Sequence, residues 1–88
     1  MTNYEKNINH VCDYIGSMIF TKTHILPPQT KKAQAETAIK LETMLSIARI
    51  LLNNDQLTKN DLIDISINRG DFRDYMKGGY KCADDRYN

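Results

Sequence analysis

Eighty-eight residues, 41% hydrophobic and 26% charged with 8% aromatic and no Trp, make one small domain and exclude a two-domain enzyme, since cores rarely divide below about 100 residues. The mean hydropathy of -0.55 comes without the roughly 20-residue apolar run that a membrane span needs. The net charge of +1, spread as zero over residues 1–28, +2 over 29–54 and -1 over 55–88, is too weak a field for general nucleic-acid binding.

A chain this short buries a modest share of its surface, and association is a common remedy, so a homo-oligomer is expected. The opening Met1-Thr2-Asn3-Tyr4-Glu5-Lys6 lacks the basic region and apolar stretch of a signal peptide, which predicts cytosolic residence. Cys12 and Cys82 have no CxxC spacing and no His placed to join them. Both are therefore expected as free thiols rather than as a disulfide or zinc site.

In chain order, Tyr4, Ile8, Val11, Ile15 and Met18 recur at steps of four, three, four and three, the spacing of one helical face, and predict a helix over residues 3–21. Ile25-Leu26-Pro27-Pro28 breaks it, because Pro lacks a donor and restricts the residue before it. Thr30 then caps a run rich in Ala, Glu, Lys, Gln and Leu that continues to Leu52. Its core stripe is Ala38, Leu41, Leu45, Ala48 and Leu52. Two long helices joined by a short Pro-containing turn predict an antiparallel hairpin over 3–53.

Thr58 and Asp61 fit a capping box, with Leu57 and Leu62 at the positions of a hydrophobic staple, so a helix from Lys59 to Asn68 is expected. The alternation in 62–67 also suits a strand, but no second alternating run exists to pair with it. Gly70 ends this helix, and Asp71 caps a short one through Lys77. The fold class is therefore all-α in a single domain: the hairpin, a short helical C-terminal segment over 57–78, and a tail over 79–88 with Tyr80, Cys82 and Tyr87.

No phosphate loop, nucleophile elbow or His-Glu metal motif is present, so neither catalysis nor a cofactor nor a metal is expected. The informative feature is a second stripe on the first helix: Asn7, His10, Tyr14, Ser17 and Thr21, an uncharged polar row roughly 80° from the core stripe. Solvated faces are usually rich in Lys and Glu, and this one instead offers a stacking ring in Tyr14 and neutral donors and acceptors around it. Lys6 and Lys22 bracket the row. A solvated face remains the alternative, as does a surface role for His10. Arg49, set among apolar residues, needs an anionic partner, either an Asp of the C-terminal segment or a phosphate. Lys31 and Lys32 stand in the first turn of the second helix, against the dipole; an anion nearby would relieve them.

A helix ending in a Pro-containing turn, followed by Ala35-Glu36-Thr37-Ala38-Ile39-Lys40-Leu41-Glu42-Thr43-Met44-Leu45-Ser46-Ile47-Ala48-Arg49, resembles the helical hairpin of phage sponge proteins of the T-even anti-CBASS type. The resemblance covers residues 4–52. It implies a homo-oligomer, a hexamer built from dimers, in the cytoplasm of an infected bacterial host. Such a protein holds cyclic dinucleotides such as 3',3'-cGAMP between protomers without cleaving them, and cyclic trinucleotides in separate pockets. By the same resemblance, Arg49 meets trinucleotide phosphates, Lys6 stands for the family's phosphate-binding lysine, and Tyr4 and Tyr14 take the place of its stacking tyrosine. Tyr4, Lys6, His10, Tyr14, Lys22 and Arg49 are thus the candidate ligand-binding residues.

Two other readings stand beside it. One is a small inhibitor that covers a host protein through Tyr75, Tyr80 and Tyr87. The other is a DNA-binding helix-turn-helix over 58–77, opposed by Asp61, Asp64, Asp71 and Asp74, which would repel phosphates.

Overall fold

A computed structural model describes residues 2–78, and every described element is helical. The expectations for Tyr80, Cys82 and Tyr87 lie outside the described residues. Helix α1 spans Asn3–Phe20 and runs on into a π-helical segment, Thr21–Ile25; α2 spans Lys31–Leu51, α3 spans Lys59–Ser66, and a 3₁₀ turn covers Phe72–Tyr75.

Each start follows from a local signal. Thr2 caps α1, its hydroxyl accepting from the Glu5 amide at 3.1 Å while the Glu5 carboxylate accepts from the Thr2 amide at 3.0 Å. This reciprocal box was legible as Thr-x-x-Glu and went unread in the sequence. The Thr30 hydroxyl accepts from the Ala33 amide at 3.0 Å. Thr58 and Asp61 form the predicted capping box, and the staple residues Leu57 and Leu62 are both fully buried. Residues 62–66 are helix, not strand.

The ends differ from expectation. Helix α1 ends at Phe20, close to the predicted 21, but the helical run continues: the Leu26 amide donates to the Thr21 carbonyl at 2.7 Å, a π spacing, before Pro27-Pro28 ends it. Helix α3 closes at Ser66 rather than Asn68, because Arg69 takes a left-handed conformation (φ 57°) and turns the chain so that the Gly70 amide donates to the Asp64 carbonyl at 2.8 Å. The last segment is a 3₁₀ turn capped by Asp71, shorter than the expected helix to Lys77.

One core unites Ile8, Cys12, Ile15 and Ile19 of α1, Leu41, Leu45 and Ala48 of α2, and Leu52, Leu57, Leu62, Ile65 and Phe72. The stripe expected on α1 is therefore rotated. Tyr4 and Val11 are exposed, Met18 is half-buried, and Cys12, Gly16 and Ile19 lie inside instead. The physical reason is Gly16. A β-carbon there would stand 2.2 Å from the Leu62 carbonyl oxygen and 2.5 Å from the Ser66 β-carbon, so its absence admits the α3 backbone to that side of α1. Cys12 is consequently buried within the protomer, and Phe20 is half-buried, stacked on His24 with ring centroids 4.8 Å apart. On α2 the stripe holds from Leu41 to Leu52, but Ala38 is exposed, and so is most of residues 31–40. The molecule is elongated, 54 × 21 × 17 Å. No helix among the described residues is long and apolar enough to cross a membrane.

Candidate functional site

The α1–α3 contact that Gly16 permits also builds a groove of about 350 Å³, lined by Asn9, His10, Asp13, Ile65, Ser66, Arg69 and Gly70. Its floor is a hydroxyl network. Ser66 Oγ lies 2.7 Å from Ser17 Oγ and donates toward the Asp13 carbonyl and carboxylate, at 2.9 and 3.0 Å. The left-handed turn at Arg69 brings that residue into the groove lining from the end of α3, and His10 lines it from α1. Tyr14, 60% exposed, lies one helical turn on from His10 on the same side of α1 and is not part of the groove lining.

The six sequence-derived candidates do not converge within one protomer. His10 lines the groove, and Tyr14 lies one turn away on α1, outside its lining. Tyr4 is exposed, but ten residues before Tyr14 and so about 15 Å from it along the helix axis. Lys6 is exposed on α1, one turn before His10. Lys22 sits half-buried in the π-helical segment, two turns beyond Tyr14. Arg49 belongs to a separate groove of about 530 Å³ with Ile50, Asn53, Asn54, Asp55 and Lys77.

Arg49 also corrects an expectation. It is half-exposed rather than enclosed by apolar residues; its Nε donates to the Leu57 carbonyl at 2.9 Å, and the carboxylate it sits near is Glu42 of the preceding turns rather than an Asp of the C-terminal segment. The bond to Leu57 holds the loop after α2. Lys77, on the same groove, stands 3.7 Å from Asp55.

Reading the sequence missed Arg69, Asp13 and Asn9. The signal was present for Asn9 and Asp13, which lie one residue before and three residues after His10. For Arg69 no periodicity helps, because a loop residue reaches the groove only through the turn that ends α3. Tyr75, one anchor of the inhibitor reading, is half-buried, and its hydroxyl donates to the Asp64 carboxylate, which pushes the phenol up to about 12. It therefore holds the 3₁₀ turn against α3. Among the described residues no cluster of His, Cys, Asp or Glu has the arrangement of a metal site. Comparison with known protein families, curated proteins and solved structures finds no match for the chain.

Proposed function

We propose that the protein is a non-catalytic sponge that sequesters cyclic oligonucleotide messengers of the 3',3'-cGAMP type, as a homo-oligomer of antiparallel helical hairpins in the infected bacterial cell, and so blocks CBASS signalling. What supports this reading is the groove beside α1, which His10, Asp13 and Arg69 line, with the exposed Tyr14 one helical turn on from His10. Its volume falls in the range of small-molecule sites. Arg69 supplies a bidentate cation for a phosphate, and Tyr14 a face for a base. Asp13 presents a carboxylate acceptor suited to the adjacent N1–H and 2-amino donors of guanine, a pair that adenine lacks. Lys6, one turn before His10, adds a second cation for the second phosphate. Tyr4, Lys22 and Arg49 complete sites that two protomers share, Arg49 at the separate groove that would take cyclic trinucleotides.

The experiment is calorimetry with 3',3'-cGAMP and its all-adenine counterpart, followed by chromatography of the nucleotide released on heating. Intact nucleotide and preference for the guanine-bearing ligand are expected. Linear or hydrolysed product would identify an enzyme instead. Arg69→Ala, Lys6→Ala and Tyr14→Ala should each weaken dinucleotide binding roughly ten- to a hundred-fold, the usual cost of about 1.5 to 3 kcal/mol for a charge-assisted or stacking contact. Arg49→Ala should leave dinucleotide affinity unchanged and weaken trinucleotide binding.

A further inference from the structure

The turn between α1 and α2 carries two adjacent aliphatic side chains outward. Ile25 and Leu26 are 64% and 66% exposed, at an apex whose backbone is already fixed: the Leu26 amide donates to the Thr21 carbonyl at 2.7 Å, and the rings of Pro27-Pro28 restrict the residues that follow. The charge around this apex is of one sign. From Tyr14 to Ala35 the chain has no carboxylate, and Lys22, Lys31 and Lys32 give that stretch +3 in a chain whose net charge is +1, which leaves -2 for the rest. Lys31 and Lys32 are exposed and Lys22 is half-buried, and none of the three forms an ion pair with a described residue.

We propose that this apex docks on the surface of an anionic phospholipid bilayer, with Ile25 and Leu26 entering the boundary of the acyl chains and the lysines meeting the headgroup phosphates. Charge selects that occupant: three lysines with no carboxylate among them face a surface of negative potential, where each basic residue adds to the attraction. Shape selects it too. Two aliphatic side chains projecting from a turn need a partner that yields around them, as the headgroup region does; a nucleic acid would satisfy the lysines and leave Ile25 and Leu26 without an apolar bed. The four-carbon stem of a lysine lies along such a boundary while its ammonium stays at phosphate level. Because the backbone of the apex is held by its own hydrogen bond and two prolines, little conformational freedom is lost on docking. Ile25 lies twelve residues beyond Asp13, roughly 15 to 20 Å along the helix axis, so the groove between α1 and α3 stays clear of the bilayer.

This surface is independent of the nucleotide site, so it is tested in nucleotide-free protein by co-sedimentation with vesicles of phosphatidylglycerol and phosphatidylcholine in equal parts, against vesicles of phosphatidylcholine alone. The native chain should sediment with the anionic vesicles, and high salt should weaken but not abolish the binding. Ile25→Ser/Leu26→Ser and Lys31→Gln/Lys32→Gln change exposed side chains, so circular dichroism should show native helix content for both, and each pair should weaken vesicle binding roughly ten-fold or more. The chain has no Trp, which makes Leu26→Trp a single reporter: its emission should shift to the blue with anionic vesicles and stay unchanged with neutral ones. A native chain that stays in the supernatant with both vesicles would overturn the proposal and leave the apex to an apolar, acid-rimmed pocket on a protein. Binding that survives Ile25→Ser/Leu26→Ser undiminished, or a Trp emission that does not move, would overturn it as well, since the apex would then not enter the bilayer.

Discussion

Gly16 is the residue on which the protomer turns. With the Leu62 carbonyl 2.2 Å from where a β-carbon would be, and helix backbone unable to give way as a side-chain tip can, Gly16→Ala must push α3 away from α1. A loss of about 1 to 3 kcal/mol is expected from such overpacking, read as a lower urea midpoint, and the Ser17–Ser66 network that floors the groove should be lost with it. Cys12, fully buried among Ile8, Ile15 and Ile19, gives a second prediction at this scale. Burial pushes its thiol up to about 11, so in a Cys82→Ser background Cys12 should resist thiol reagents at neutral pH and react only at the rate of unfolding. Rapid labelling of the native chain would mean that α1 and α3 separate readily.

Among elements, the start of α1 and the 3₁₀ turn near the chain's far end are clasped by charge. Arg73 reaches Glu5 at 3.3 Å and Asp71 at 2.7 Å. The Glu5 carboxylate is held below its ordinary value first by the Thr2 amide, then by the Thr2 hydroxyl and Arg73, against the opposing effect of burial. Asp71 is held low chiefly by its hydrogen bonds from Arg73. A carboxyl whose native pKa is depressed adds stability that is complete above its unfolded-chain pKa. That stability is lost as pH falls through the lower native value. Stability should therefore decline from neutral to acidic pH, and Glu5→Gln should flatten that limb while lowering the neutral-pH plateau; urea titrations at several pH values measure both. If the two chains show the same acid limb, the clasp contributes nothing.

On the scale of the whole molecule, the core occupies one part of a body 54 Å long, and residues 25–40 extend beyond it with Ile25, Leu26 and Ile39 exposed. The proposed homo-oligomer would cover exposed apolar surface of this kind without altering the core. Melting temperature should then rise with protein concentration, as mass action requires of a fold stabilised by association. A concentration-independent melt in the native chain would mean that the protomer is stable alone.

The all-α class and each helix start were legible in residue type and spacing, because caps, staples and helix-forming runs act within a few residues of themselves. Thr30 and the Thr58–Asp61 box needed no partner to be read. The break at Pro27-Pro28 was equally local, although the π spacing that carries α1 on to Ile25 was not. The buried arc of α1 was misplaced because Tyr4, Ile8, Val11, Ile15 and Met18 satisfy the helical period as well as Ile8, Cys12, Ile15 and Ile19 do. Periodicity says that one side is buried, and only the approach of α3 over Gly16 decides which. The groove depends on the same event. His10 and Tyr14 could be picked out along α1, but Arg69 and Ser66 arrive from more than fifty residues away, through a left-handed turn and a helix contact that no local pattern encodes.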